Sequence, residues 1–316
     1  MPIDAGFSLI VPVYGNEGSI PDLIEAVSSL HAQIEGFEAI FVVDGSPDLS
    51  YALLRESLPL ATFPSSLLAL SRNFGAFAAI RAGLQAANGR LVAVMAADLQ
   101  EPPQLIVDFS KLLASGNFDV VFGLREGRRD PWTSKFASSI FWRVYRALIM
   151  PDIPKNGVDI FAMTRDFKSR LLLLAESNSS LLAQLFWLGG RRGYVGYERQ
   201  LRRHGTSAWT LKKKLRYLSD SVFSFTDLPV RILMAIGSAS FVLAIILGAI
   251  TLGAKIAGSD IVPGYAGTLI TILFFGALNS LGLGIVGTYA WRTFENTKAR
   301  PLAVVLTAEH FPKESL

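Results

Sequence analysis

The chain has 316 residues, enough for one large α/β domain and an appendage. It has no cysteine and three histidines (His31, His204 and His310), no two of them close in sequence. Disulfide frameworks, thiolate metal sites and cysteine nucleophiles are therefore excluded, and a histidine zinc site or a Ser-His-Asp triad is disfavoured. With 30 Lys+Arg against 26 Asp+Glu the formal charge is +4, too small an excess to argue for nucleic acid. The hydrophobic share of 51% and mean hydropathy of +0.39 are high for a soluble chain, and the excess lies near the C-terminus.

Met1 to Ser8 carries no basic region, and the apolar run Phe7–Val13 is too short to span a membrane or direct export. The N-terminal part is expected to stay in the cytoplasm. From there, strand-like runs alternate with helical patterns. Phe7–Val13 predicts a buried strand and 21–30 a helix; Glu38–Val43 and Leu67–Leu70 predict two more strands. A helix over 74–87 leads to a strand at 91–95, a helix over 103–114 and a strand at Asp119–Phe122. The rhythm predicts an α/β fold with a mostly parallel sheet and helices on both faces.

Further along, two patterns predict membrane-associated helices. Trp132–Leu148 sets Phe136, Ile140, Phe141, Trp142 and Tyr145 beside Lys135, Arg143 and Arg146. In Trp209–Phe225, Leu211, Leu215, Leu218, Val222 and Phe225 recur at helical spacing, with Lys212, Lys213, Lys214 and Arg216 largely on the other side. Two uncharged apolar stretches follow, 232–254 and 265–291, each long enough to span a hydrocarbon core. Arg231 precedes the first, and Arg292, Lys298 and Arg300 follow the second. By the positive-inside rule both outer ends are cytoplasmic, which predicts a hairpin anchor. The tail at Pro301–Leu306 has strand character and could pair with a neighbouring subunit to form a homo-oligomer.

Open parallel sheets bind ligands beyond the carboxyl ends of their strands. Polar residues follow four of the expected strands: Pro12-Val-Tyr-Gly-Asn-Glu17, Asp44-Gly-Ser-Pro-Asp48, Ala96-Ala-Asp98-Leu-Gln100-Glu-Pro-Pro103 and Gly123-Leu-Arg125-Glu-Gly-Arg128. Carboxylates and carbonyl oxygens there suit a nucleoside and a hard cation, since magnesium uses one or two carboxylates plus substrate phosphates. Nearby arginines can pair with diphosphate oxygens in bidentate fashion.

Together with Leu70-Ser-Arg-Asn-Phe-Gly75, Gly157-Val-Asp-Ile-Phe161 and Arg202-Arg-His-Gly-Thr-Ser207, these segments resemble the motif series of family 2 glycosyltransferases. The resemblance is to the dolichyl-phosphate mannose synthase-like and bacterial polyprenyl-phosphate glycosyltransferase branch, over roughly residues 7–230. It implies a GT-A fold and inverting transfer from a nucleotide-sugar to a polyprenyl (undecaprenyl-type) phosphate at the cytoplasmic membrane face. UDP is favoured over GDP by analogy with bacterial hairpin members. The implied organisation is a catalytic domain over 1–207, a juxtamembrane helix over 208–228, the hairpin within 229–294 and a cytoplasmic tail over 295–316. That makes a multi-pass inner-membrane enzyme with both termini cytoplasmic.

Carried across by motif, Pro12, Tyr14, Glu17 and Asp44 would contact the nucleoside. Asp98 and Gln100 would hold Mg2+ or Mn2+ and the diphosphate. Arg125 and Arg202 would address phosphate groups, and Arg128, Lys135 and Ser139 the acceptor phosphate. Asp159 matches an acidic position on the acceptor side. A phosphate monoester has a second pKa of about 6 and needs no general base near neutrality, so Asp159 reads as positioning sugar or acceptor. The metal motif departs from the usual Asp-x-Asp, because its first position is Ala96. Ala96 also leaves open a binding or scaffold subunit in place of an enzyme. A processive polysaccharide synthase is disfavoured, since no Gln-x-x-Arg-Trp occurs.

Overall fold

A computed structural model of the chain describes residues 6–126, 143, 145–147, 150–154, 158, 160–200, 211–257 and 265–312. The chain divides into two compact units, residues 1–216 with 301–316 and residues 217–300.

The first unit is built on a sheet whose central strands are apolar apart from the buried pair Ser8 and Glu38, whose side chains hydrogen-bond at 2.6 Å. β1 (Phe7–Val13) and β2 (Phe37–Val43) pair in parallel from Phe7↔Phe37 to Val13↔Val43. A strand with helices on both sides must be apolar on both faces, and β2 is buried at every position. β3 (Ser65–Leu70) lies outside β2, and β4 (Leu91–Val94) flanks β1 on its other side. Alternation along β1 divides the core. Leu9, Val11 and Val13 pack with α1 (Ile20–His31) and α4 (Gln104–Ala114). Ile10 meets α3 (Ala76–Ala86) on the other face, close enough that a Cβ added at Gly83 would lie 2.4 Å from the Ile10 side chain. α2 (Ser50–Ser57) follows β2.

Three strands complete the sheet. β5 (Val120–Arg125) is longer than the expected Asp119–Phe122, so Arg125 ends the strand rather than following it. β6 (Phe161–Thr164) inserts antiparallel between β4 and β5, and β7 (Arg192–Tyr197) pairs in parallel outside β5. β8 (Val305–Phe311) joins antiparallel to β3. The order is β7-β5-β6-β4-β1-β2-β3-β8, with only β6 and β8 running against the others. The strand expected at Pro301–Leu306 thus forms slightly later and pairs within its own chain. There Glu309 accepts from the Tyr51 hydroxyl at 2.6 Å and from Arg55 Nε at 3.1 Å.

Two short helices, α5 (Arg165–Leu172) and α6 (Leu181–Trp187), are capped by Thr164 and Ser180, whose hydroxyls accept from Phe167 N and Ala183 N. Arg81 of α3 ties them to the sheet. It is 7% exposed and donates to the carbonyls of Leu171 and Leu172 and to Gln184 Oε1 at 3.2–3.3 Å. Removing a buried donor strands its acceptors. Arg81→Leu is expected to destabilise the unit by about 2–3 kcal/mol, read as a lower urea midpoint.

The second unit holds most of α7 (Leu211–Phe225), then α8 (Leu228–Ile256) and α9 (Tyr265–Thr297). Arg292 of α9 donates to Asp220 Oδ1 at 2.7 Å and to Ser224 Oγ at 3.2 Å, and Phe223 packs against Tyr289 with centroids 5.4 Å apart. Leu228–Ile250 is the one stretch among the described residues long and apolar enough to cross a membrane, with a mean hydropathy of 2.4. Most of its large side chains, among them Met234, Phe241 and Ile245, are exposed.

Candidate functional site at the carboxyl edge of the sheet

The parallel strands β1, β2, β4, β5 and β7 all end at one edge. The loop after β1 is stitched to the loop after β2. Gly15 N donates to Ser46 Oγ at 2.8 Å, Asn16 N to Ser50 Oγ at 3.2 Å, and Glu17 N to Asp48 Oδ2 at 3.0 Å. In return Glu17 Oε2 accepts from Leu49 N at 3.0 Å, and Asp48 Oδ1 from Ser46 Oγ at 2.6 Å and Ser50 N at 3.1 Å. Both carboxylates therefore meet the start of α2, where free amides and the helix dipole favour negative charge. Tyr14 is left 40% exposed at this edge, and Pro12 lies within β1 opposite Val42.

Burial raises the Asp48 carboxyl, but hydrogen bonds from Ser46 and Ser50 and from the amides of Glu17 and Ser50 outweigh it and hold the group below the usual carboxylate range. A lowered folded-state value means stability that is present above about pH 4 and lost as pH falls through that value. Asp48→Asn is accordingly expected to melt below the wild type at neutral pH, with the gap closing below about pH 4 in thermal scans.

Asp44, directly after β2, is 3% exposed. Its Oδ1 accepts from Phe74 N at 2.7 Å and its Oδ2 from Gly75 N at 2.8 Å. The carboxylate thus holds the loop after β3 at the start of α3. Gly45 is required beside it: φ is +58°, and an added Cβ would lie 2.4 Å from the Arg72 carbonyl carbon.

After β4, Met95 N still donates to Ile10 O at 2.9 Å, and the chain then turns through Ala96–Glu101. Leu99 takes a left-handed φ of +51°. That conformation costs a branched residue about 1–2 kcal/mol, and it is held between Asp98 and Gln100. Asp98 is half-buried, and its Oδ1 lies 3.4 Å from Gln100 N. Gln100 is engaged with the segment after β7: Gln200 N donates to Gln100 O at 2.8 Å and Arg199 Nη2 to Gln100 Oε1 at 2.5 Å. Glu101, 3% exposed, lies 4.0 Å from Arg199 Nε. Arg125, half-buried, ends β5 opposite Tyr197.

The edge therefore gathers Pro12, Tyr14, Glu17, Asp44, Asp98, Gln100 and Arg125. Arg128, Lys135, Ser139, Asp159 and Arg202 lie outside the described residues, as does most of the helix expected at 132–148. Ile160, next to Asp159 in sequence, accepts from Gly123 N at 3.0 Å. Arg199 and Glu101 were not singled out from the sequence. Arg199 follows β7, a strand interrupted by Gly193 and Gly196 that signals itself poorly.

The donor atoms suit a divalent cation in part. Ala96 has no side-chain donor, and the Gln100 oxygen is taken by Arg199. Among the described residues no three His, Cys, Asp or Glu side chains converge as a metal site. Asp98 is the carboxylate that the resemblance assigns to the cation, and one carboxylate with substrate phosphates fits magnesium.

Residues 8–172 match the family described as glycosyl transferase family 2, which spans more than half of the chain. The chain belongs to that family. This family 2 glycosyltransferase is 30% identical to the prophage bactoprenol glucosyl transferase homolog of Escherichia coli, covering 94% of this chain and 97% of that protein. It is 31% identical to the undecaprenyl-phosphate 4-deoxy-4-formamido-L-arabinose transferase of Aeromonas hydrophila, covering 93% and 91%. Such relatives put it in the polyprenyl-phosphate glycosyltransferase branch. Among solved structures it is similar to glucosyl-3-phosphoglycerate synthase from Mycobacterium tuberculosis, at 18% identity and a TM-score of 0.46 over 69% of this chain and 77% of that one.

Proposed function

We propose that the enzyme moves a sugar from a nucleotide-sugar, a UDP-sugar by preference, to a polyprenyl phosphate at the cytoplasmic face of the membrane. The observation that carries this is likeness along nearly the whole chain to transferases named for bactoprenol and undecaprenyl phosphate. The apolar helix α8, with its uncovered large side chains, supports a membrane location. In this reading α8 and α9 form a two-span hairpin, with α7 lying at the headgroup layer and both ends cytoplasmic.

In the reaction, a phosphate oxygen of the lipid attacks the anomeric carbon. The bond from that carbon to the diphosphate oxygen breaks, the electron pair leaves with the nucleoside diphosphate, and the configuration inverts. A lipid phosphate is largely dianionic near neutrality, so bringing two anions together matters more than proton removal. Arg125 and Arg202 would carry phosphate charge; Arg128, Lys135 and Ser139 would receive the acceptor phosphate. Asp159 would orient the sugar or acceptor. Pro12, Tyr14 and Glu17 would line the nucleoside, with Asp44 shaping its loop. Asp98 would hold a divalent cation which, when bound, neutralises the diphosphate.

The test is to incubate detergent-purified protein with undecaprenyl phosphate and a panel of UDP- and GDP-sugars, and to identify lipid products by mass spectrometry. A new glycosyl-phosphoryl-lipid with one donor supports the reading and names the sugar. Absence of product from every donor, while a homologous enzyme works alongside, would overturn it and favour a binding subunit.

A further inference from the structure

Arg199 lies at the carboxyl edge of the sheet, and the side chain that accepts its short hydrogen bond, Gln100, is one the sequence resemblance assigns to a cation. Three contacts fix the segment after β7 on the loop after β4. Gln200 N donates to Gln100 O at 2.8 Å, Gln100 Nε2 to Gln200 O at 3.4 Å, and Arg199 Nη2 to Gln100 Oε1 at 2.5 Å. The guanidinium is thereby held against a side chain two residues from Asp98.

The bland account is that Arg199 neutralises the buried Glu101. Its geometry argues against that. A guanidinium recruited to a carboxylate forms a two-pronged pair near 2.8 Å. Here the nearest approach to Glu101 is 4.0 Å, and the short bond goes to a neutral amide. The Arg199 Nε–H has no acceptor within hydrogen-bond distance among the described residues. The Arg199 side chain is 32% exposed against 4% for Glu101, so the arginine is the more accessible of the two.

We propose that Arg199, held by Gln100 and backed by Glu101, binds the donor diphosphate directly, so that part of the charge neutralisation at this site does not depend on a cation. Gln100 then acts as a positioning residue for Arg199 rather than as a metal ligand. The inference rests on the nucleotide-sugar reading above and deepens it.

The experiment is calorimetric binding of UDP and GDP to the full chain in detergent, in EDTA and across a magnesium titration. Wild type is expected to bind a nucleoside diphosphate in EDTA. Arg199→Met should weaken that cation-free binding about tenfold or more, as loss of a charge-assisted bond to phosphate predicts. Arg199→Lys keeps a charge beside Glu101 and guards against misfolding; it should lose less, since an ammonium lacks the fork. Gln100→Leu, which removes the acceptor that holds Arg199 and leaves Glu101 unchanged, should also weaken cation-free binding and leave the magnesium midpoint unchanged. The inference is overturned if wild type binds only with magnesium, if Arg199→Met and Arg199→Lys both bind as wild type in EDTA, or if Gln100→Leu shifts the magnesium midpoint alone. Failure of wild type to bind either nucleotide under any condition would instead sink the nucleotide-sugar reading.

Discussion

Asp98→Asn is expected to lower kcat/KM for sugar transfer by about 10²–10³-fold while leaving the thermal midpoint unchanged. The size follows from the number of alternatives. Ala96 has no side-chain donor atom, Gln100 gives its oxygen to Arg199, and Glu101 is buried beside the same arginine. In the proposed reaction Asp98 is the carboxylate of this loop that faces a cation on the diphosphate. Its removal acts on the leaving group, where charge grows in the transition state. The fold should tolerate the change, because asparagine keeps an acceptor oxygen for Gln100 N and the position is half-buried. Activity within tenfold of wild type at saturating magnesium would show that the ion, or the charge, is held elsewhere.

Asp44→Ala should instead cost stability first, about 4 kcal/mol, and activity as a consequence. Two part-buried amides, Phe74 N and Gly75 N, lose a charged acceptor at 2.7 and 2.8 Å beside Asp44, which is itself 3% exposed. Each stranded donor carries a desolvation penalty of about 1–3 kcal/mol, larger for bonds to a charged group. The Gly45 backbone packs on Arg72 in the same place, so the loops after β2 and β3 would separate together. Asp44→Asn should recover part of the loss, since one amide oxygen can serve one of the two donors. Denaturant midpoints for the pair of variants decide this. Equal stability of Asp44→Ala and wild type would mean that the residue serves ligand contact alone.

A good part of the fold was legible beforehand because it rests on local patterns. Apolar runs at Phe7–Val13 and Phe37–Val43 have one comfortable home, between helices in a parallel sheet. The i, i+3, i+4 spacing of Leu23, Val27 and Leu30 defines a helix face without any partner being known. The motifs at the strand ends, and the family they indicate, could be read in the same way, as could the apolar stretch of α8.

Other features depend on chain segments far apart in sequence. A four-residue strand such as β6 has no pattern of its own, and it is a strand because β4 and β5 offer hydrogen bonds on either side. The tail at Val305–Phe311 completes the sheet through β3, a pairing that no local preference specifies. The motif at Asp44 suggests a nucleoside contact, and the tertiary structure adds a second task, since each of its oxygens also accepts from an amide of the loop after β3. Gln100 read as a cation ligand, and the approach of the segment after β7 gives its oxygen to Arg199. Residue types and local order were thus set by the sequence itself: an α/β sheet, a polar carboxyl edge, a long apolar helix near the C-terminus and a glycosyltransferase lineage. Which polar atoms remain for a substrate was decided only by tertiary structure, because a buried acceptor is claimed by whichever donor the folded chain brings within about 3 Å.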